Sequence, residues 1–114
     1  MIECTLSEAA QARCLTIRGE LTIASVTDAK ACLRATLVDL IPGSLALDLS
    51  KLTEVDAAGV QLLLCMTRSL HAAGMAMNVQ ACSDSLINTA WELDLADEQG
   101  CLGVPYQTLV EVPA

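Results

Sequence analysis

Residues 47–63 read LDLSKLTEVDAAGVQLL, and this stretch decides the fold. It continues an apolar run, residues 45–49, that is typical of a strand buried on both faces between parallel neighbours. Asp56 is predicted to cap the following helix, because its carboxylate can accept hydrogen bonds from the free N–H groups of the first helical turn. The stretch therefore predicts a strand, a connection and a helix start.

Downstream of this stretch, helices and strands alternate. The predicted helix ends at Gly74, and residues 75–81 alternate in polarity as a strand does. Ser83 is predicted to cap a third helix. Residues 101–112 are expected to add a short strand, although Pro105 argues against a central position in a sheet. The positions that line one face of these elements are Val60, Leu63, Leu64, Thr67, Leu70, His71, Met75, Met77, Val79, Leu86, Ile87, Ala90, Trp91 and Leu93.

Upstream, the sequence predicts a hairpin followed by a helix. Residues 1–8 and 13–18 have strand patterns on either side of a polar turn at residues 7–12, and Gly19 closes the second strand. Residues 25–28 match the [ST]-x-x-[DE] helix start, and apolar residues then recur at helical spacing until Pro42. The order is β-β-α-β-α-β-α with an optional final strand, which indicates an α/β fold with a mixed or mostly parallel sheet.

Length and composition limit the classes of function. The 114 residues form one domain, residues 1–114, and a hydrophobic fraction of 54% with a mean hydropathy of +0.51 excludes disorder. A net charge of −8 argues against binding to nucleic acid or to an anionic membrane surface. Because no long apolar window and no basic signal-peptide segment is present, we expect a cytoplasmic protein with no membrane span.

The sequence is poor in residues that form catalytic or metal sites. None of the six cysteines has a Cys-x-x-Cys spacing, and the single histidine, His71, cannot complete a Cys/His metal set, so no metal or cofactor is expected. We expect reduced, mostly buried thiols, with Cys4 and Cys14 facing each other on neighbouring strands. Asp48 and Asp56 could form a general acid–base pair, but structural roles for the two carboxylates are favoured. The sequence therefore predicts that the protein is not an enzyme.

Residues 47–63 resemble the signature of STAS domains, the modules of sulphate transporters and anti-sigma-factor antagonists. That signature has a strand ending in Asp-Leu-Ser, a short loop, and Asp-Ser-Ser/Thr/Ala-Gly-Leu/Val opening a helix. Residues 17–21 (IRGEL) are similar to the Gly-Glu-Leu turn before the family's first helix, and the similarity extends to residues 91–93 (WEL). The resemblance implies a mixed sheet of four or five strands with helices packed mainly on one face.

The resemblance also implies a role. STAS domains are docking modules rather than catalysts, and in many of them a partner kinase phosphorylates the first hydroxyl residue after the signature Asp. The equivalent positions in this chain are Ala57 and Ala58, which cannot be phosphorylated. We therefore expect docking without the serine switch, with small side chains that let a partner approach the backbone closely.

Three hypotheses for function are compatible with these patterns. In the first, the chain is a bacterial signalling adaptor, of a type found with chemotaxis systems, that binds an anti-sigma factor or a histidine-kinase-like protein. The alternative is a subunit that binds the ATPase of a phospholipid ABC transporter. The third is a small enzyme or nucleotide-binding protein, and a homodimer is also open. The expected partner-binding residues are Leu21, Ile23, Asp56, Ala57, Ala58, Gly59, Val60 and Leu63.

Overall fold

A mixed sheet of five strands organises the fold, as the resemblance implies. The computed structural model describes residues 2–9 and 12–107. Its elements are β1 (Glu3–Ala9), β2 (Ala12–Leu21), α1 (Val26–Leu37), β3 (Gly43–Leu49), β4 (Leu52–Val55), α2 (Ala57–Ala72), β5 (Met75–Cys82), α3 (Asp84–Glu92), β6 (Gly100–Cys101) and β7 (Val104–Pro105). In these ranges no helix combines the length and the apolar character that crossing a membrane requires.

The long strand β2 pairs with three other strands. β1 lies antiparallel to it, and β3 lies parallel to its first half through residues 14–16. β4 lies parallel to its last residues, 19–21. β5 completes the sheet by pairing parallel with β3. The end of β2 that carries β4 is therefore separate from the part that holds β1 and β3.

One face of the sheet is buried. Leu45, Leu47 and Leu49 of β3 are fully buried, whereas Ala46 and Asp48 between them are half-buried. This alternation follows the two-residue repeat of side chains along a strand. Buried residues of α1, α2 and α3 belong to the same cluster as these leucines, so the helices cover one face of the sheet. The prediction that this run is buried on both faces is therefore wrong.

Three element boundaries differ from the sequence predictions. β2 continues to Leu21 instead of closing at Gly19, because its last residues pair with β4. The first turn is shorter than residues 7–12, since residues 7–9 still pair with β2. α1 ends at Leu37, well before the predicted stop. The partner strands decide the first two boundaries, and they lie far away in the sequence. After α1, the N–H of Leu40 donates to the carbonyl of Leu37 at 3.1 Å in a turn.

The sequence pattern misses β4 and the C-terminal hairpin. Only the two end residues of β4 are buried, so its pattern does not alternate as a half-exposed strand does. In place of one strand over residues 101–112, β6 and β7 form a hairpin, and Tyr106 then forms a bridge with Val79 of β5. The rest of that prediction, from residue 108 onward, lies outside the described residues.

The cysteines do not form the predicted pair. Cys4 lies opposite Ile17, and Cys14 lies opposite Ser7, so the two thiols do not face each other. Cys101 is fully buried, while the other five cysteines are half-buried or exposed. The prediction of mostly buried thiols is therefore also wrong.

Two helix ends that were predicted from local sequence, the stop at Gly74 and the cap at Ser83, are confirmed. Gly74 follows α2 with a φ of +91°, in the left-handed region that glycine adopts without a steric penalty. Ser83 caps α3, because its hydroxyl accepts a hydrogen bond from the N–H of Leu86 at 3.2 Å. His71 lies exposed in the last turn of α2, where a basic side chain suits the helix dipole.

Candidate functional site

The candidate site lies where the end of β2 meets the start of α2. Leu21, the last residue of β2, pairs with Val55, the last residue of β4. Asp56 follows Val55 and directly precedes α2, and its backbone N–H donates to the carbonyl of Leu21 at 3.3 Å. The parallel pairing of β2 with β4 therefore brings the start of α2 beside residues 22–25, the β2–α1 loop.

Ser25 stabilises the β2–α1 loop. Its hydroxyl accepts a hydrogen bond from the N–H of Thr22 at 3.0 Å and donates to the carbonyl of Glu20 at 2.7 Å. Ser25 precedes α1 as predicted, but its side chain makes no capping hydrogen bond to that helix. The hydroxyl is used to fold the loop back on the end of β2.

The Asp56 carboxylate joins the loop to the helix. One oxygen, Oδ1, accepts from the N–H of Gly59 at 3.0 Å, which is the predicted helix cap. The other, Oδ2, accepts from the N–H of Ile23 at 2.9 Å. The second bond is not a capping interaction and was not expected from the sequence. Both oxygens of one side chain therefore bind backbone donors of two different elements.

The same hydrogen bonds set the charge of Asp56. The N–H groups of Ile23 and, secondly, Gly59 favour the ionised carboxylate and lower the pKa of Asp56 from its ordinary 3.8. A carboxylate that is charged and bonded through both oxygens is poorly suited to general acid–base catalysis at neutral pH. Asp48 is bonded within its own turn, where Oδ1 accepts from the N–H of Ser50 at 3.1 Å and from its hydroxyl at 2.6 Å. Each carboxylate therefore has a structural role as a hydrogen-bond acceptor.

Gly59 allows the start of α2 to contact β2 closely. A Cβ atom at this position would overlap the carbonyl oxygen of Leu21 and would lie 3.0 Å from Leu21 Cγ. The backbone of α2 thus approaches the backbone of β2 as closely as glycine permits. The absence of a side chain at position 59 serves a contact within the protein, rather than the approach of a partner.

Burial divides the predicted partner-binding residues into two groups. Leu21, Val60 and Leu63 are 0% exposed and belong to the core, and Gly59 is buried against β2. They cannot contact a partner in this fold, so their assignment to a contact surface is corrected. The predicted residues that reach the surface are Ile23, which is 75% exposed, Ala57, which is exposed, and Asp56 and Ala58, which are half-buried. We call these four residues the Ile23 surface.

Two side chains of α3 that the sequence analysis did not single out also belong to this region. Ser85 accepts a hydrogen bond from the N–H of Val55 at 2.9 Å, and Thr89 donates to the Val55 carbonyl at 2.9 Å. The only signal in the sequence is their spacing of four, which places two hydroxyls on the same side of a helix. Nothing in that spacing indicates which strand they contact.

A second concave region among the described residues is separate from this site. A cavity of about 690 Å³ lies between the second half of α2 and residues 94–105, and it is lined by Arg68, His71 and Leu102 among others. None of the Ile23 surface residues lines it. Across the described part of the chain, no three His, Cys, Asp or Glu side chains are grouped so as to hold a metal ion.

Comparisons with known proteins agree with the architecture. The family model described as Mlab, STAS domain matches residues 4–104. A comparison with curated protein sequences gives no match. A solved structure, described as the anti-sigma factor antagonist SpoIIAA in its unphosphorylated form, superposes with a TM-score of 0.58 at 20% identity. That alignment covers 83% of this chain and 89% of the other, and at this identity it shows similarity of fold alone.

Replacing Gly59 with alanine tests the close contact between α2 and β2. Helix propensity alone would make Gly59→Ala stabilising by about 1 kcal/mol. Because the new Cβ overlaps the Leu21 carbonyl, we expect a loss of about 2–3 kcal/mol in the free energy of unfolding. Urea unfolding measures the change. Ala57→Ser, at an exposed position of the same turn, is the control and should change stability by less than about 0.5 kcal/mol. A stabilised Gly59→Ala variant would contradict the contact.

The lowered pKa of Asp56 predicts a pH-dependent contribution to stability. A carboxyl group whose pKa is lower in the folded state stabilises the protein fully above its unfolded pKa of about 3.9 and loses that effect as pH falls through its folded pKa. Asp56→Asn should therefore be less stable than the native protein by about 1 kcal/mol at pH 7, with the difference shrinking below about pH 4. Denaturant unfolding across pH checks this. Asp39→Asn, at an exposed position after α1, is the control, and a difference independent of pH would contradict the role of Asp56.

Proposed function

The chain belongs to the STAS family, and from that premise we propose that it is a non-catalytic docking module for a regulatory protein of the anti-sigma-factor or histidine-kinase-like class. The observation that carries the proposal is that Ile23 has an exposed side chain on a backbone held by a hydrogen bond. Its side chain is 75% exposed, while its backbone N–H is fixed by Asp56. A large apolar side chain on a fixed backbone is suited to enter a pocket of a partner.

Exposed isoleucines are common on protein surfaces, so the exposure of Ile23 alone carries little weight. Its surroundings support the proposal. Hydrogen bonds that loop N–H groups donate to Asp56 and Ser25 hold the β2–α1 loop, so little conformational entropy is lost when a partner binds. Ala57 and Ala58 begin the neighbouring helix with side chains too small to hinder an approaching surface. The Ile23 surface thus combines one protruding apolar side chain with small neighbouring side chains.

We also propose that docking at this surface is not controlled by phosphorylation of the residues after Asp56. Phosphorylation requires a nucleophilic atom in the side chain, and the methyl groups of Ala57 and Ala58 provide none. Control of complex formation would then lie with the state of the partner.

Capture of a partner tests the proposal. The native chain is immobilised and exposed to the cytosol of the source cell, and retained proteins are identified by mass spectrometry. Ile23→Asp should reduce recovery of an anti-sigma-factor or kinase-like partner at least about tenfold, since it places a charge in an apolar contact. Ile41→Asp is the matched control, because Ile41 is 72% exposed but lies between α1 and β3. Both variants should stay within about 0.5 kcal/mol of the native stability.

The result also separates the partner classes. Equal recovery with Ile23→Asp and Ile41→Asp would contradict the Ile23 surface. Recovery of an ABC transporter ATPase, lost with Ile23→Asp, would keep the surface and replace the partner class. An assay of that ATPase with and without the protein would then measure the effect of docking.

A further inference from the structure

We infer that Ser85 and Thr89 of α3 are positioning residues for the candidate docking site. They hold Val55, and through it Asp56, in the place from which Asp56 fixes the β2–α1 loop. The importance of this for partner binding rests on the proposed function. The positioning itself does not, because it can be measured on the protein alone.

The two hydroxyls form hydrogen bonds with backbone groups of β4 that do not pair with β2. The N–H of Asp56 donates to the Leu21 carbonyl. In a parallel ladder, hydrogen bonds to one neighbour are made by alternate residues. The backbone groups of Val55 therefore face away from β2. These are the groups that Ser85 and Thr89 bind, each at 2.9 Å. Two side chains of a helix thus act where a further strand would otherwise pair.

A short series of hydrogen bonds connects α3 to Ile23. Ser85 and Thr89 bind Val55, the adjacent Asp56 binds the Leu21 carbonyl through its backbone, and its carboxylate binds the N–H of Ile23. Val55 is 5% exposed. If the hydroxyls are removed, its two buried backbone groups lose their partners. An unsatisfied buried group is costly, so the end of β4 would move towards water and carry Asp56 with it.

The hydroxyls can be removed with little effect on core packing. The contacts of α3 with the core are made by Leu86 and Ala90, which are 0% exposed. Ser85 and Thr89 are half-buried beside β4 and do not belong to that core. Thr89→Val keeps the shape of the side chain and removes only its hydrogen bond. The effect of removing the hydrogen bonds to Val55 can therefore be measured with little change in core packing.

Hydrogen exchange of single amides, followed by NMR, tests the inference. In Thr89→Val and in Ser85→Ala, the amides of Ile23 and Gly59 should exchange about tenfold faster, which corresponds to the loss of one buried hydrogen bond. Amides of the pairing between β3 and β5 should keep their rates. Thr89→Ser retains the hydroxyl and should restore the slow exchange. Thr36→Val is the control, because the Thr36 hydroxyl donates to the Cys32 carbonyl within α1 and should leave Ile23 unchanged.

The outcomes distinguish this inference from the proposed function. Unchanged exchange at Ile23, or equal acceleration at all slow amides, overturns the positioning role, since the second result means only lower global stability. Selective acceleration at Ile23 and Gly59 with rescue by Thr89→Ser supports it, whether or not a partner has been found. If a partner binds the Ile23 surface, the same two variants should weaken it several-fold, because a smaller fraction of molecules has the competent loop.

Discussion

Two backbone N–H groups from distant parts of the sequence converge on the carboxylate of Asp56, and the geometry of the candidate site depends on this arrangement. One donor, Gly59, belongs to the first turn of α2, and the other, Ile23, belongs to the β2–α1 loop. Hydrogen bonds to an ionised acceptor are stronger than those between neutral groups. A single charged side chain therefore fixes both the direction in which α2 begins and the position of the exposed isoleucine.

The glycine at position 59 makes this arrangement possible. Asp56 can reach Ile23 only because α2 starts in close contact with the end of β2, and that contact leaves no room for a Cβ atom. The hydroxyls of Ser85 and Thr89 add to this arrangement by binding Val55, the residue before Asp56. Several residues of this stretch that match the family signature, among them Asp56 and Gly59, are explained by contacts inside the protein. The surface available to a partner is correspondingly small.

The parts that could be predicted are those that a few neighbouring residues determine. Each of these features depends on residues within one helical turn: the caps at Asp56 and Ser83, and the stop at Gly74. β4 was missed because only its two end residues are buried, so its four residues show no alternating pattern. Leu21 and Val60 were assigned to the surface because the family signature does not indicate which side chains point into the core. The bond from Ile23 to Asp56 spans 33 residues, and no local pattern encodes it.

The division of β2 between two sets of neighbours has a consequence for how such a chain can vary. Its first part is secured by β1 and β3, and its last three residues carry β4 and the start of α2. Replacements at exposed positions of the β2–α1 loop therefore act on the loop, β4 and the first turn of α2, while the main sheet keeps its own pairing. On the proposed function, the surface beside this tip can therefore change in sequence to suit a partner without altering the strand pairs of the main sheet.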